Sequence, residues 1–368
     1  MSGSPDLLYT DTEIALRESV RRLLRDRLPL ETVARAYDAA PPDFGDVWRT
    51  MAGELGVAGL LIPESLGGAG ASAREAAVVA EEVGRAVAPV PFLTSAVLAT
   101  TALLHAGEST TLTHLAEGAT TAALAVPLST APDTTPTGVT AAGGVLRGRV
   151  TSVAGAAESG VLVVPAIGVD GLELYLVDSA APGLTITPVL ALDMTRPLAD
   201  ITIDGVAGRR VDCPDAAAAV AAALTVGAAV LAAEQAGVAA WCLDTTLAYV
   251  KQRRQFGREI GSYQAIKHRL ADLWLQVGSA TAAARYAADT AARDDADAPV
   301  AAAIAASYCG DAAVKAAEEC IQLHGGIGMT WEYPAHLYLK RAKSDQLALG
   351  TGARHRRILA DLIDLPTT

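Results

Sequence analysis

Basic residues gather in two stretches of an otherwise acidic chain. The 368 residues carry a formal net charge of −12, yet twelve of the 29 lysines and arginines fall within these stretches. They are Lys251, Arg253, Arg254, Arg258, Lys267 and Arg269 in the first stretch, and Lys340, Arg341, Lys343, Arg354, Arg356 and Arg357 in the second. Charge runs often form solvated helix faces, but glycines interrupt both of these stretches. One guanidinium group can donate two parallel hydrogen bonds to a phosphate group, so the sequence favours a site for a phosphorylated ligand.

Two glycine-containing motifs accompany the basic residues. In RRQFGREIGSYQAIKH, a charged helix end runs into Phe256 and Gly257 before a second helix begins. In CIQLHGGIGMTWEYP, three glycines follow a predicted helix. Glycine lets a ligand approach the backbone closely, but it is also an ordinary helix stop, so both interpretations of the second motif stay open. His324 is predicted to cap carbonyl groups or to pack beside this loop.

The elements that position these motifs follow from hydrophobic periodicity. Apolar residues recur at spacings of three and four from residue 11 to about 107, which predicts helices. From residue 119, segments such as SGVLVVPAIG and LTITPV predict short strands. From residue 215 an alanine-rich helical pattern returns, long enough for an antiparallel four-helix bundle. The predicted fold is α+β and multidomain, with a helical domain over 1–118, a β-barrel or sandwich domain over 119–212, and a helical bundle over 213–368.

Composition narrows the functional classes. An acidic chain has no general affinity for nucleic acid or anionic membranes, since both require a positive field. The four cysteines stand far apart, without metal-ligand or disulfide-framework spacing, and acidic residues occupy the N-terminus where a signal peptide would be basic. We therefore predict a cytoplasmic protein without a metal site. The uncharged run 216–233 is long enough to span a membrane, but alanine drives insertion weakly, so we predict a buried bundle helix.

The two motifs, at this separation, closely resemble the C-terminal bundle of acyl-CoA dehydrogenases. The resemblance extends to GELGVAGLLIPESLGGAGAS, AEEVGRAVAPVPF and LALDMTRPLADITIDGV, so it covers nearly the whole chain. It implies FAD held between two subunits, an acyl-CoA or carrier-bound acyl thioester as substrate, an electron-transfer acceptor, and a homo- or hetero-oligomer. By this resemblance, the residues that contact the flavin nucleotide are Arg253, Gln255 and Phe256, and Gln264 lies near them. The residues that face the adenine half of a neighbour's cofactor are Gln322, Gly325 and Gly326. Thr351 is a further implied cofactor contact.

The family's catalytic base is missing from the matching positions. Members of the family remove a proton beside the thioester carbonyl while a hydride leaves the next carbon for the flavin. The base is usually a glutamate just before a Gly-Thr pair, and this chain has Leu349 at that position. In other members the base lies on the helix ahead of the RxxFG motif, and the matching position in this chain is near Gly227. Glu234, two helical turns after Gly227, is the best replacement candidate, followed by Asp345 and Glu332. For each of these three, an exposed or ion-paired carboxylate is the favoured interpretation.

The β module departs from the family pattern as well. The Thr-Glu and Gly-Ser-Asp segment that lies along the flavin and substrate has no counterpart in LAVPLSTAPDTTPTG, and no tryptophan occurs in LRGRVTSVAGAAESGVLVV. Three hypotheses follow. The first is a subunit that shares FAD sites with a glutamate-bearing partner and takes part in α,β-desaturation of an acyl thioester. The second is a self-sufficient flavoenzyme with Glu234 as base, acting on a carrier-bound or polycyclic acyl substrate. The third is a non-catalytic structural subunit.

Overall fold

The computed structural model describes residues 6–39 and 41–365. Helices fill its two ends and a sheet lies between them. The helices are α1 (Asp11–Arg27), α2 (Leu30–Ala34), α3 (Gly45–Leu55), α4 (Ala73–Ala86), α5 (Thr100–His105), α6 (Ser109–Ala116), α7 (Ala216–Gln252), α8 (Gln264–Ala292), α9 (Ala298–His324), α10 (Ala335–Leu347) and α11 (Gly352–Leu362). A π-helical stretch, Phe92–Ala99, leads directly into α5. The predicted helical, β, helical order is confirmed.

The strands of the middle module form one curled, eight-stranded sheet. They are β1 (Ala122–Leu124), β2 (Val139–Ala142), β3 (Val145–Ala154), β4 (Val161–Gly168), β5 (Gly171–Asp178), β6 (Leu184–Val189), β7 (Leu198–Ala207) and β8 (Arg209–Arg210). Their order is β6-β7-β3-β2-β4-β5-β8, with β1 paired in parallel to β4. The predicted boundaries after residues 118 and 212 fall in the connections before β1 and after β8.

Local capping fixes where the N-terminal helices begin. The Thr10 side chain accepts a hydrogen bond from the Glu13 backbone N–H at 3.2 Å, and the Glu13 carboxylate accepts one from the Thr10 N–H at 2.6 Å. Ser72 and Glu75 form the same capping box at the start of α4. Each box satisfies backbone donors that have no partner inside the helix, and a cap of this kind contributes about 1 kcal/mol.

The N-terminal module joins the bundle through a close crossing of α4 and α7. A Cβ built on Gly84 would lie 2.1 Å from the Glu234 carbonyl oxygen, and one built on Gly237 would lie 2.0 Å from the Glu81 carbonyl oxygen. Only glycine fits at either position, so the two backbones approach each other more closely than any side chain permits. This crossing fixes the position of Glu234 relative to the N-terminal module.

The C-terminal bundle is built on three long helices of 37, 29 and 27 residues, which are α7, α8 and α9. Two helical segments are long and apolar enough to cross a membrane by length and composition, Ala216–Gln252 and Ala298–Met329. Most of each apolar stretch is buried within the protein, 67% and 61% respectively. Helices at the core of a bundle have this composition because neighbouring helices surround them.

Candidate functional site

The two sequence motifs meet in one open groove with a volume of about 670 Å³. The groove lies where the end of α7 and the start of α8 pass the end of α9. Six predicted cofactor residues line it: Arg253, Gln255, Phe256, Gln322, Gly325 and Gly326. The resemblance implies separate contacts for the two motifs, to the flavin nucleotide and to the adenine half. The structure places both motifs on the same side of the chain, in one surface, and the part of a cofactor that each motif contacts stays a prediction.

The first motif forms a tight hairpin that presents an aromatic ring. Strands β9 (Arg254–Gln255) and β10 (Arg258–Glu259) pair in antiparallel fashion, and Phe256 and Gly257 form the two-residue turn, with φ angles of +51° and +79°. Positive φ at both central residues is the geometry of a type I′ turn, which is unfavourable for phenylalanine. The Phe256 ring is nevertheless 91% exposed. A strained backbone that holds an apolar ring in water indicates a surface that a ligand or partner covers.

The second motif forms the opposite wall of the groove. Gly325 has a φ of +64°, and a Cβ built on Gly325 or Gly326 would meet no atom within 4 Å, so both backbones face open space. The His324 ring packs on Tyr249, with centroids 4.2 Å apart. Its Nδ1 is 2.6 Å from the Cys320 carbonyl oxygen, so Nδ1–H donates and Nε2 accepts from the Tyr333 hydroxyl at 2.5 Å. His324 therefore packs beside the loop and bonds a carbonyl group, with both ring nitrogens occupied.

The charges of the groove suit a phosphorylated ligand. Arg253 has no ion-pair partner among the residues that the structure describes, whereas Arg269 is held by Glu319 at 2.6 Å. A free guanidinium group, side-chain amides and accessible glycine backbone form a donor set that matches a diphosphate. The exposed Phe256 and the Tyr249 ring add apolar surface for a base or ribose. The residues present thus fit the nucleotide half of the FAD that the resemblance implies.

Two other predicted cofactor contacts lie outside this groove. Gln264 is the first residue of α8 and is exposed. Thr351 precedes α11, where its hydroxyl accepts a hydrogen bond from the Arg354 backbone N–H at 3.3 Å. Neither residue lines the groove, so the structure gives each of them a place at a helix start, and their contact with a cofactor stays a prediction.

The two positions where family members carry the base lie together and are apolar. Leu349 is 1% exposed, and Gly227 on α7 faces it across the Leu98 side chain. A Cβ built on Gly227 would come within 2.4 Å of Leu98 Cδ2 and 3.2 Å of Leu349 Cδ1. The two sequence positions thus converge on one point in space, as alternative positions for one base must. Here leucine side chains fill that point.

Glu234 does not occupy that point as a free carboxylate. It is 1% exposed, and one of its oxygens accepts hydrogen bonds from both Arg196 and Arg341 at 2.5 Å. Burial alone would raise the pKa of Glu234, but the two guanidinium groups outweigh it and lower the pKa. An ionised carboxylate held by two arginines is a poor proton acceptor, which favours the ion-paired interpretation of this residue.

Asp345 is a buried, paired carboxyl group and Glu332 is an exposed one, as the favoured interpretation predicts. Asp345 is buried beside Glu234, and its Oδ1 accepts from Arg196 at 3.2 Å while Oδ2 has no partner among the described residues. Burial first, and the Glu234 charge second, raise the pKa of Asp345 to about 8. A group that is already protonated at neutral pH cannot take up the substrate's proton. Glu332 lies in the exposed loop after the glycines.

Sequence reasoning did not find the partners of Glu234. Arg196 comes from the connection before β7, and Arg341 from α10, where it also bonds Asp193 at 2.8 Å. One signal was available, because Glu234 is the single charged side chain between residues 216 and 243 of an alanine-rich helix. A lone charge in such a helix is either exposed or paired. Its partners could not be identified, since they lie 38 and 107 residues away.

Comparison with known proteins gives the same family over most of the chain. Models of the acyl-CoA dehydrogenase N-terminal domain and C-terminal domain match residues 10–115 and 217–363. The chain is 38% identical to acyl-CoA dehydrogenase FadE34 of Mycobacterium tuberculosis over 95% of its own length, and it spans only 48% of that relative. It is 37% identical to acyl-CoA dehydrogenase IpdE2 of Mycolicibacterium smegmatis, covering 91% of this chain and 93% of the relative.

Solved structures share the whole fold. A structure of a variant of the Tcur3481-Tcur3483 steroid ACAD superposes with a TM-score of 0.85 at 30% identity, covering 96% of this chain and 98% of that one. The ChsE4-ChsE5 complex from Mycobacterium tuberculosis superposes with a TM-score of 0.87 at 26% identity, covering 99% of this chain and 100% of that one. The domain matches, the full-length relative and the shared fold lead to one conclusion: this chain belongs to the acyl-CoA dehydrogenase family.

Proposed function

We propose that this chain is the base-free subunit of a hetero-oligomeric acyl-CoA dehydrogenase, in which it binds the nucleotide half of an FAD shared with a glutamate-bearing partner. The family consists of FAD-dependent oxidoreductases. When bound, FAD accepts the hydride that leaves the acyl chain. In this proposal the partner's glutamate removes the proton beside the thioester carbonyl, and this chain orients the cofactor.

One contrast carries the proposal. Arg253, Phe256 and Gly325 line an open groove that fits a nucleotide, whereas the base positions Leu349 and Gly227 are apolar and packed. A purely structural subunit gives no physical account of a groove that holds a strained, exposed phenylalanine beside an arginine without an ion-pair partner among the described residues. A self-sufficient enzyme would need a base, and the carboxylates near the expected point are ion-paired or protonated.

The similar structures support a partnered arrangement and suggest a substrate class. One is a complex of two proteins, ChsE4 and ChsE5, and the other is described as a steroid ACAD. By this similarity we propose that the partner's site desaturates an acyl thioester with a steroid-derived, polycyclic acyl group. In this chain the groove residues would bind and orient the cofactor, while Leu349 and Leu98 would take no part in proton transfer.

Co-expression with a glutamate-bearing homologue tests the proposal. The purified hetero-oligomer should be yellow, and anaerobic addition of a steroid-derived acyl-CoA should bleach the main visible band of the flavin. The chain alone should show no bleaching with any thioester tested. Arg253→Met in this chain should lower FAD content, and glutamate to glutamine in the partner should abolish bleaching without lowering FAD content. Bleaching by the isolated chain, or unchanged FAD content in Arg253→Met, would refute the proposal.

A further inference from the structure

A further open pocket lies where α1, α4, α7 and α10 meet, and we call it the Trp241 pocket. Its volume of about 290 Å³ is close to the lower limit of small-molecule sites. The end of α1 and its connection to α2 form one wall, and the end of α4 with parts of α7 and α10 forms the rest. None of its lining residues lines the nucleotide groove, and neither Leu349 nor Gly227 belongs to it.

Two stacked aromatic rings form the floor of the Trp241 pocket. Trp241 on α7 and Tyr338 on α10 lie parallel, with ring centroids 3.5 Å apart and an angle of 5° between the planes. Tyr338 is buried and Trp241 is partly exposed, so the accessible part of the stacked pair belongs to Trp241. The Tyr338 hydroxyl donates to the Arg85 carbonyl oxygen at 2.6 Å, which fixes the lower ring. A ligand thus meets an aromatic surface that is already in place, so little ordering is needed on binding.

The walls beside this floor are apolar. Leu24 and Leu28, from the end of α1, are buried, and Leu30 and Ala86 are partly exposed. Flat ring systems stack well on tryptophan, and aliphatic side chains around the ring exclude water from its edges. The shape and chemistry of the pocket therefore suit a flat, apolar ring system.

Arg25 supplies free hydrogen-bond donors at the mouth of the pocket. Its side chain is 72% exposed, and Nε donates to the adjacent Asp26 carboxylate at 3.0 Å. The two terminal amino groups of the guanidinium have no hydrogen-bond partner among the residues that the structure describes. Both point along one edge of a planar fork, which is the geometry that binds a carboxylate through two parallel bonds.

The other charges of the lining are already compensated. Arg21 pairs with Glu82 at 2.6 Å, and Arg85 pairs with Asp244 at 2.8 Å. Both oxygens of the buried Glu82 carboxylate accept hydrogen bonds from arginines, one of them Arg17. The lining therefore presents no free carboxylate that would repel an anion, and its uncommitted donors belong to Arg25.

We infer that the Trp241 pocket binds a small organic acid in which a flat ring system carries one carboxylate. The ring stacks on Trp241 between the apolar walls, and the carboxylate accepts hydrogen bonds from Arg25. Since the pocket and the nucleotide groove share no residue, this inference does not depend on the proposed function.

Ligand-observed NMR titration of the purified chain with 2-naphthoate and 2-naphthamide tests the inference. The two compounds share the same fused rings and differ in charge. We expect 2-naphthoate to bind with a dissociation constant of about 1 mM or below, and 2-naphthamide to bind at least about fivefold more weakly. Absence of 2-naphthoate binding at about 1 mM, or equal affinity for the two compounds, would overturn the inference.

Variants of the lining then locate the ligand. Arg25→Met should weaken 2-naphthoate binding at least about fivefold and leave 2-naphthamide binding unchanged, because the amide does not need the guanidinium charge. Arg22→Met is the matched control, since Arg22 is exposed on the same helix but lies outside the lining. Ala86→Phe fills the pocket and should abolish binding of both compounds. If Ala86→Phe does not fold, Trp241→Leu replaces it and should weaken both compounds at least about threefold.

Three other results would contradict the inference. If Arg22→Met weakens 2-naphthoate as much as Arg25→Met does, the acid binds the basic surface of α1 and not the pocket. If Arg253→Met weakens it instead, the acid binds in the nucleotide groove. If the hetero-oligomer with a glutamate-bearing homologue no longer binds 2-naphthoate, a protein partner covers the pocket. The proposed function is decided separately, by FAD content and flavin bleaching.

Discussion

Replacing Glu234 by glutamine separates its structural role from a catalytic one. The Glu234 carboxylate joins two arginines that come from different parts of the fold, Arg196 before β7 and Arg341 on α10. The substitution keeps the size of the side chain and removes its charge. We expect the free energy of unfolding to fall, because two buried guanidinium groups then lose their shared counter-charge.

The size of the effect depends on Asp345. At neutral pH the cluster holds two guanidinium cations against the carboxylates of Glu234 and Asp193, while the raised pKa of Asp345, about 8, keeps that carboxyl protonated. Removing one partner of a buried ion pair typically costs about 3–5 kcal/mol. In Glu234→Gln the repulsion that helps raise the Asp345 pKa is gone, so Asp345 can ionise and replace part of the lost charge. We therefore expect the lower end, about 3 kcal/mol.

The double variant Glu234→Gln/Asp345→Asn removes that compensation. Two buried cations then face only Asp193, so the double variant should be less stable, by at least about 1 kcal/mol, than the sum of the two single-variant changes would make it. Urea denaturation at pH 7, followed by circular dichroism at one fixed protein concentration, measures all three variants. Glu318→Gln is the matched control, because Glu318 is half exposed and pairs with Lys343 at 3.5 Å. It should change stability by less than about 0.5 kcal/mol.

Two results would refute this reasoning. If Glu234→Gln is as stable as the control, the carboxylate does not hold the module junction together. If the two single-variant changes in stability simply add in the double variant, Asp345 does not take over the lost charge. A hetero-oligomer in which Glu234→Gln keeps its stability but loses flavin reduction by about 10²–10⁴-fold would instead assign Glu234 the role of base.

Three further predictions follow from the same contacts. Asp345→Asn should gain stability relative to the unmodified protein as pH rises from about 4 toward 8, by up to about 1.4 kcal/mol per pH unit. The reason is that the raised pKa of Asp345 makes the folded protein keep a proton that the unfolded chain releases. A difference in unfolding free energy between the two proteins that does not change with pH in urea titrations would contradict this. Gly237→Ala should lose about 2 kcal/mol or more, because its Cβ would lie 2.0 Å from the Glu81 carbonyl oxygen, whereas Gly278→Ala on α8, which meets nothing within 4 Å, should gain up to about 1 kcal/mol in the same denaturation assay. Arg253→Met should weaken FAD binding by the hetero-oligomer at least about tenfold in equilibrium dialysis, while Arg254→Met, outside the groove, should leave the affinity unchanged.

The groove could be predicted from the sequence because local chemistry defines its walls. Phe256 and Gly257 must form a turn between two helices, and the glycines after His324 must end a helix and expose backbone, whatever the rest of the fold does. The loss of the base was visible for the same reason, since Leu349 cannot take up a proton in any environment. Gln264 and Thr351 lie at helix starts outside the groove, so their contact with a cofactor stays a prediction.

The sequence by itself determined the order of helical, β and helical modules, six of the residues that line the groove and the absence of a glutamate at the two family positions. These follow from periodicity, turn chemistry and residue type, which act over a few neighbouring residues. Only the tertiary structure decided that Gly227 and Leu349 meet across Leu98, that Glu234 is neutralised by Arg196 and Arg341, and that Trp241 stacks on Tyr338. Each of these contacts joins residues from distant parts of the chain. Their distances and their burial exist only once the modules have packed, and these two quantities set the pKa values and the space left for a ligand.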